Sequence, residues 1–162
     1  FMSRIKRATS LFLVFVVILS LTLVPSVCAA ESSETTTVTV KDLGDGLTVT
    51  STVRILPSLT RDSSKTVVNE NSYELKGSWV GTVKLTTKFT YNSITAGVVS
   101  ASYSKTLASG WSYTNHSLTT TTVSSSNGGK ATLSANLRKN IISNIPVYMY
   151  THCDPKGNIT TD

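Results

Sequence analysis

From residue 31 to residue 162 the chain alternates apolar side chains with Ser and Thr, which together fill 44 of those 132 positions. That alternation constrains the fold more than any other feature. Ser hydroxyls compete for the backbone hydrogen bonds a helix needs, and the branched Thr side chain loses rotamer freedom in a helix. The same branch suits a pleated surface, on which successive side chains point to opposite faces. A period of two therefore gives strands with one apolar and one wet face.

The clearest strand is 82–91. Val83, Leu85, Thr87, Phe89 and Tyr91 fall on one face, and Thr82, Lys84, Thr86, Lys88 and Thr90 on the other. Strand 35–41 leads through an Asp45-Gly46 hairpin signal to Leu47, Val49, Ser51, Val53 and Ile55, which share a face. Residues 66–68 and 72–77 read as two short pieces around Asn69-Glu70-Asn71, and 94–103 returns with Ala96, Val98 and Ser100 aligned. Strand 111–123 is followed by a Ser-Asn-Gly-rich turn. Ala131, Leu133, Ala135 and Leu137 then share a face, and Val147, Met149, Thr151 and Cys153 share another, opposite Tyr148, Tyr150 and His152. Residues 159–161 add a short last strand. About eight strands with turns at roughly eight- to twelve-residue intervals predict an all-β antiparallel β-sandwich, immunoglobulin-like or jelly-roll-like. A closed barrel is the alternative, disfavoured by the uneven strand lengths. A core of this size stands without disulfides or metal.

Residues 1–30 have the order of a secretory signal peptide. Arg4, Lys6 and Arg7 lead into an apolar run over 11–24. Pro25 ends the run, and Cys28-Ala29-Ala30 offers small residues for cleavage after Ala30 or Ala29. The run is short for a membrane span, which takes about 20 residues. Pro25 and Val27 stand where a lipoprotein signal places Leu and a small residue, which argues against lipid on Cys28. The expected arrangement is a cleaved leader over 1–30, a single domain over 31–162, no stable membrane span after cleavage, and a secreted, extracellular product. With no apolar tail in the sequence, release into the medium is expected.

Loss of the leader removes three cations and no anion, so the net charge falls from +6 to +3. Arg138-Lys139 is the one adjacent basic pair, so no nucleic-acid partner is expected. Cys153 remains as a single cysteine, open to burial, to a free thiol or to an intermolecular bond. It lies beside His152, but adjacent strand residues face opposite ways and cannot form a Cys–His dyad. A core thiol with a surface imidazole is the favoured reading there. His152 and Asp154 share a face at metal-ligand spacing, with His116 as the only other imidazole, but two ligands at i, i+2 often occur by chance. No hydrolase, phosphate-loop or calcium-loop motif is present. The expectation is no catalytic residue, no metal and no cofactor. Trp79, Trp111, Tyr113, Tyr148 and Tyr150 are the candidate ligand-facing aromatics, weighed against a role plugging the core. Two Asn-x-Ser/Thr triplets, at Asn115 and Asn158, arise easily in a chain this rich in Ser and Thr.

Four segments resemble a family of small secreted β-rich proteins of clostridia and related Gram-positive bacteria. They are 81–92, with its T-x-x-F-x-Y-N pattern, Ser109-Gly110-Trp111-Ser112-Tyr113, Gly129-Lys130-Ala131-Thr132-Leu133, and Cys153-Asp154-Pro155-Lys156-Gly157-Asn158. That family carries no activity to transfer. A fainter similarity, through 129–137 and Tyr148/Tyr150, is to bacteriocins of the lactococcin 972 type, small β-sandwiches about half as long. The expected function is a non-enzymatic binding or surface-interaction module for an extracellular glycan, cell-wall polymer or protein. The alternative is a secreted antibacterial or membrane-active β-protein, weakened because the apolar face of 112–126 holds only Leu118 and Val123. A hydrolase using His116, His152 or Cys153 ranks third.

Overall fold

Alternation becomes pleat in the computed structural model, which describes residues 34–58, 63–121, 125–140 and 143–162. The leader expected over 1–30 lies outside the described residues. The first sheet runs in the order β1 (Thr35–Asp42), β2 (Leu47–Pro57), β3 (Ser64–Leu75), β4 (Ser78–Tyr91) and β5 (Ala96–Leu107). The second runs β6 (Ser112–Thr120), β7 (Gly129–Lys139), β8 (Ser143–Cys153) and β9 (Ile159–Thr161). Every neighbouring pair is antiparallel. Among the described residues the fold is the all-β antiparallel sandwich that the alternation predicts, with nine strands. Each sheet is a plain meander in which consecutive strands pair, without the crossovers that characterise immunoglobulin-like and jelly-roll connections.

Two strands depart from the sequence expectation. The pieces around Asn69-Glu70-Asn71 are one continuous strand, β3, and Asn69 and Asn71 lie buried on its inner face. Asn69 pairs with Val53 on one side and Leu85 on the other, and Asn71 with Ser51 and Val83. Two flanking ladders outweigh the turn preference of Asn. In β5 the alternation breaks at a bulge. Phe89 pairs with Val98 and Lys88 with Ser100, so Val99 is left over and exposed. Beyond it Ala101 and Tyr103, rather than Ser100, face Thr87 and Leu85.

The inward rows form two apolar clusters. One gathers Val83, Leu85, Leu133, Leu137 and Met149, and the other Val67, Phe89, Val98, Ala131 and Cys153. Between them Thr87 of β4 and Thr151 of β8, both fully buried, share a hydrogen bond at 3.0 Å across the two sheets. At one corner the sheets touch. Ala96 bridges Ser125, and a Cβ on Gly129 would stand 2.7 Å from the carbonyl carbon of Gly97. At the opposite side the first sheet overhangs the second. β1 is exposed along its whole length, and β9 pairs with only Thr151–Cys153 of β8. Four turns follow β1, β3, β5 and β7 at one end of the sandwich, and four follow β2, β4, β6 and β8 at the other.

Candidate functional site

The first of those ends holds a cleft of about 500 Å³, walled by Trp79 and Trp111 and edged by Lys76, Lys139 and Asn140. Its residues come from three turns, and local backbone chemistry places each. Strict alternation would put Trp79 in the inward row with Val83. A bulge instead pairs Tyr73 with Gly81 and Glu74 with Trp79, so Val80 fills the core and Trp79 stays 42% exposed. Trp111 ends the β5–β6 turn, which is pinned by Ala108 N–H donating to Val80 O (2.9 Å) and Trp111 N–H donating to Ala108 O (3.1 Å). It is half-buried and packs against the first core cluster.

Lys76 occupies the first central position of the two-residue β3–β4 turn with φ 51°, followed by Gly77 at 74°. Two positive φ values define the primed hairpin turn that normally takes Asn or Asp first. A lysine accepts the left-handed conformation here, and its N–H donates to Gly46 O at 2.6 Å. Asn140, at φ 60°, caps the β7 end beside Lys139. Ser78, Ser109 and Ser143 complete the polar lining. Among the described residues neither indole N–H has a hydrogen-bond partner and neither lysine has an ion-pair partner. The arrangement offers two flat apolar faces, two ammonium groups, hydroxyls and an amide, with no carboxylate among the described lining residues.

The other sequence candidates lie elsewhere. Tyr113 turns inward at the β5–β6 edge and stands 5.8 Å from Tyr103 and 5.6 Å from His116, with Lys105 Nζ 4.4 Å over its ring. The bulge at Asn115 (φ 51°) sets Asn115 and His116 against the single residue Ala135. The Tyr113 hydroxyl is buried without a partner, and desolvation with the neighbouring Tyr103 pushes its pKa up to about 12. Tyr148 and Tyr150 stand on the outer face of the second sheet, Tyr148 exposed and Tyr150 under Lys130. His152 stacks beside Tyr150, and its Nε2 donates to Asn127 O at 2.9 Å. Cys153 points the opposite way into the core as a buried free thiol, 3.4 Å from Asp154 O, and burial pushes its pKa up to about 11. His116 lies with the tyrosines of the first cluster and Cys153 in the second, so the structure does not bring them together. Among the described residues no three His, Cys, Asp or Glu side chains gather at metal-binding distance.

Two of the sequence segments quoted above meet at the far end. Asp154 accepts from the Asn158 backbone N–H (2.8 Å) and side-chain amide (2.7 Å), which holds its carboxyl below the usual range. The turn they close presses Gly157 onto Tyr91, where an added Cβ would lie 2.5 Å from the ring. Lys65 Nζ donates to Gly157 O at 2.6 Å and lies over the same ring. Ser93 N–H donates to Pro155 O. The Phe-x-Tyr-Asn and Cys-Asp-x-x-Gly-Asn patterns thus lock one hairpin against another.

Lys76, Lys139 and Asn140 were missed as site residues. The signal for Lys76 was the Lys76-Gly77 turn pair, in which lysine replaces the usual Asn. The fold and the cleft together define an all-β two-sheet sandwich with an aromatic-walled cavity among its turns. No family model, curated protein or solved structure matches the chain.

Proposed function

We propose that this chain is a secreted, non-enzymatic β-sandwich that binds an extracellular ligand in the cleft between Trp79 and Trp111. The observation that carries the reading is the pair of indoles held open by turn geometry, one exposed and one braced on the core. Large aromatic residues left at a concave surface without protein partners are the usual means of gripping a ring or chain of mixed polarity. The export-type leader in the sequence supports an extracellular setting. The lining supplies groups that hold a ligand by stacking and hydrogen bonding, and it joins no thiol or imidazole to a second titratable group.

The chain contains two tryptophans, and both line the cleft. Intrinsic tryptophan emission therefore reports on this site alone. Titration of residues 31–162 with soluble glycans, wall polymers and host extracellular proteins is expected to shift the emission for one class. Trp79→Ala with Trp111→Phe is expected to abolish retention of that class on an affinity column. Retention undiminished in the double variant would move binding to another surface and sink the proposal.

A further inference from the structure

We infer that the cleft selects a saccharide carrying an anionic substituent, a carboxylate or a phosphate; this rests on the binding reading above and specifies its ligand. The walls and the rim of the cleft select for different parts of such a ligand. An indole offers a flat apolar face and an edge N–H, which matches a sugar ring with one face of C–H bonds and a periphery of hydroxyls. Trp79 and Trp111 present both features, and neither N–H is spent on another of the described residues. Three serine hydroxyls and the Asn140 amide add short, two-way hydrogen-bonding groups of the kind that read sugar hydroxyls.

The rim supplies the charge. Lys76 and Lys139 enter from two different turns, both exposed, and the lining contains no aspartate or glutamate. Glu74, which pairs with Trp79 in the β3–β4 register, is outside the lining. A cationic rim without its own counter-charge complements an anion and disfavours a cation. The backbone reinforces this, because a lysine is held at a positive φ where Asn is the ordinary residue. The volume lies within the range of roughly 300–1,000 Å³ typical of small-ligand sites, enough for one or two sugar units but not for a folded partner.

The test is tryptophan-emission titration of residues 31–162 with two matched pairs of probes. Oligogalacturonate is compared with its methyl ester, and phosphomannan with unphosphorylated mannan. At least one acidic probe is expected to bind tenfold or more tightly than its neutral match. That preference should fall at least fivefold in Lys76→Gln/Lys139→Gln, return in Lys76→Arg/Lys139→Arg, and shrink as salt rises from 50 to 500 mM. Preference for oligogalacturonate assigns the carboxylate source and preference for phosphomannan the phosphate source. Equal binding of acid and neutral partners, lost on Trp79→Ala, would overturn the anionic selection and leave the cleft reading standing. No emission change with any of the four probes would overturn the saccharide assignment. No change with any protein or polymer ligand would remove the cleft reading as well.

Discussion

The hydroxyl pair between the two sheets makes a quantitative prediction. Thr87 and Thr151 are both 0% exposed, their hydroxyls lie 3.0 Å apart, and neither has another side-chain hydrogen bond among the described residues. Replacing one with Val removes the bond and strands the other hydroxyl in an apolar layer. That costs about 1–3 kcal/mol, less a fraction regained from the added methyl. Replacing both removes the stranded group and keeps the volume, so the double variant should lie within about 0.5 kcal/mol of the parent or above it. The coupling between the sites is then the sum of the two single losses, about 3 kcal/mol for two losses of about 1.5 kcal/mol each. Urea unfolding of Thr87→Val, Thr151→Val and the double variant measures it. With a slope of about 1–3 kcal/mol per molar for small proteins, each single change should move the midpoint by roughly 1 M. Additive losses, with the double variant worse than either single, would refute the reasoning.

Gly129→Ala drives a methyl into the Gly97 backbone at the corner where the sheets touch, and should cost about 2 kcal/mol or more by thermal melting; an unchanged melt would show that the corner gives way. Cys153 is buried with its pKa raised to about 11, so iodoacetamide at pH 8 should label it only as fast as the protein unfolds. Rapid labelling of the native form would contradict its burial. Burial raises Tyr73 and Tyr113 to about 12, against 10 for a free tyrosine, and Cys153 to about 11, against 9 for a free thiol. Above pH 9 the unfolded chain loses these protons first, so stability is full below pH 9 and declines up to pH 12. Tyr73, 2% exposed, accounts for about 1.4 kcal/mol per pH unit between 10 and 12. Urea midpoints that stay level from pH 8 to 11 would contradict this.

The layers were readable because parity is a local property. Val83 through Tyr91, Ala131 through Leu137 and Val147 through Cys153 face inward as their spacing implies. What the spacing could not convey were the places where one residue is added. Val80 and Val99 each break the count, and those bulges are what expose Trp79 and turn Ala101 and Tyr103 inward. The burial of Asn69 and Asn71 depends on both neighbouring strands, each of which is reached only across a turn. The candidate site was half visible for a similar reason. Its two tryptophans stand out by rarity, whereas Lys76, Lys139 and Asn140 converge only because alternate turns of two meanders share one end. Parity pairs Tyr148 with Tyr150 and Trp111 with Tyr113, but it does not say which face meets the cleft, and the structure puts the three tyrosines on an edge and an outer face.

Because each sheet is a run of consecutive hairpins, every rung of the first ladder is available before the second has any chain to build with. A polypeptide emerging amino end first completes its five-stranded layer by residue 107, with one side still greasy and bare. Some fifty more residues must appear before a lid exists for it. During that interval the lone layer is the species at risk of sticking to a neighbour, and the density of Thr and Ser along its far side is what keeps at least one of its surfaces wettable.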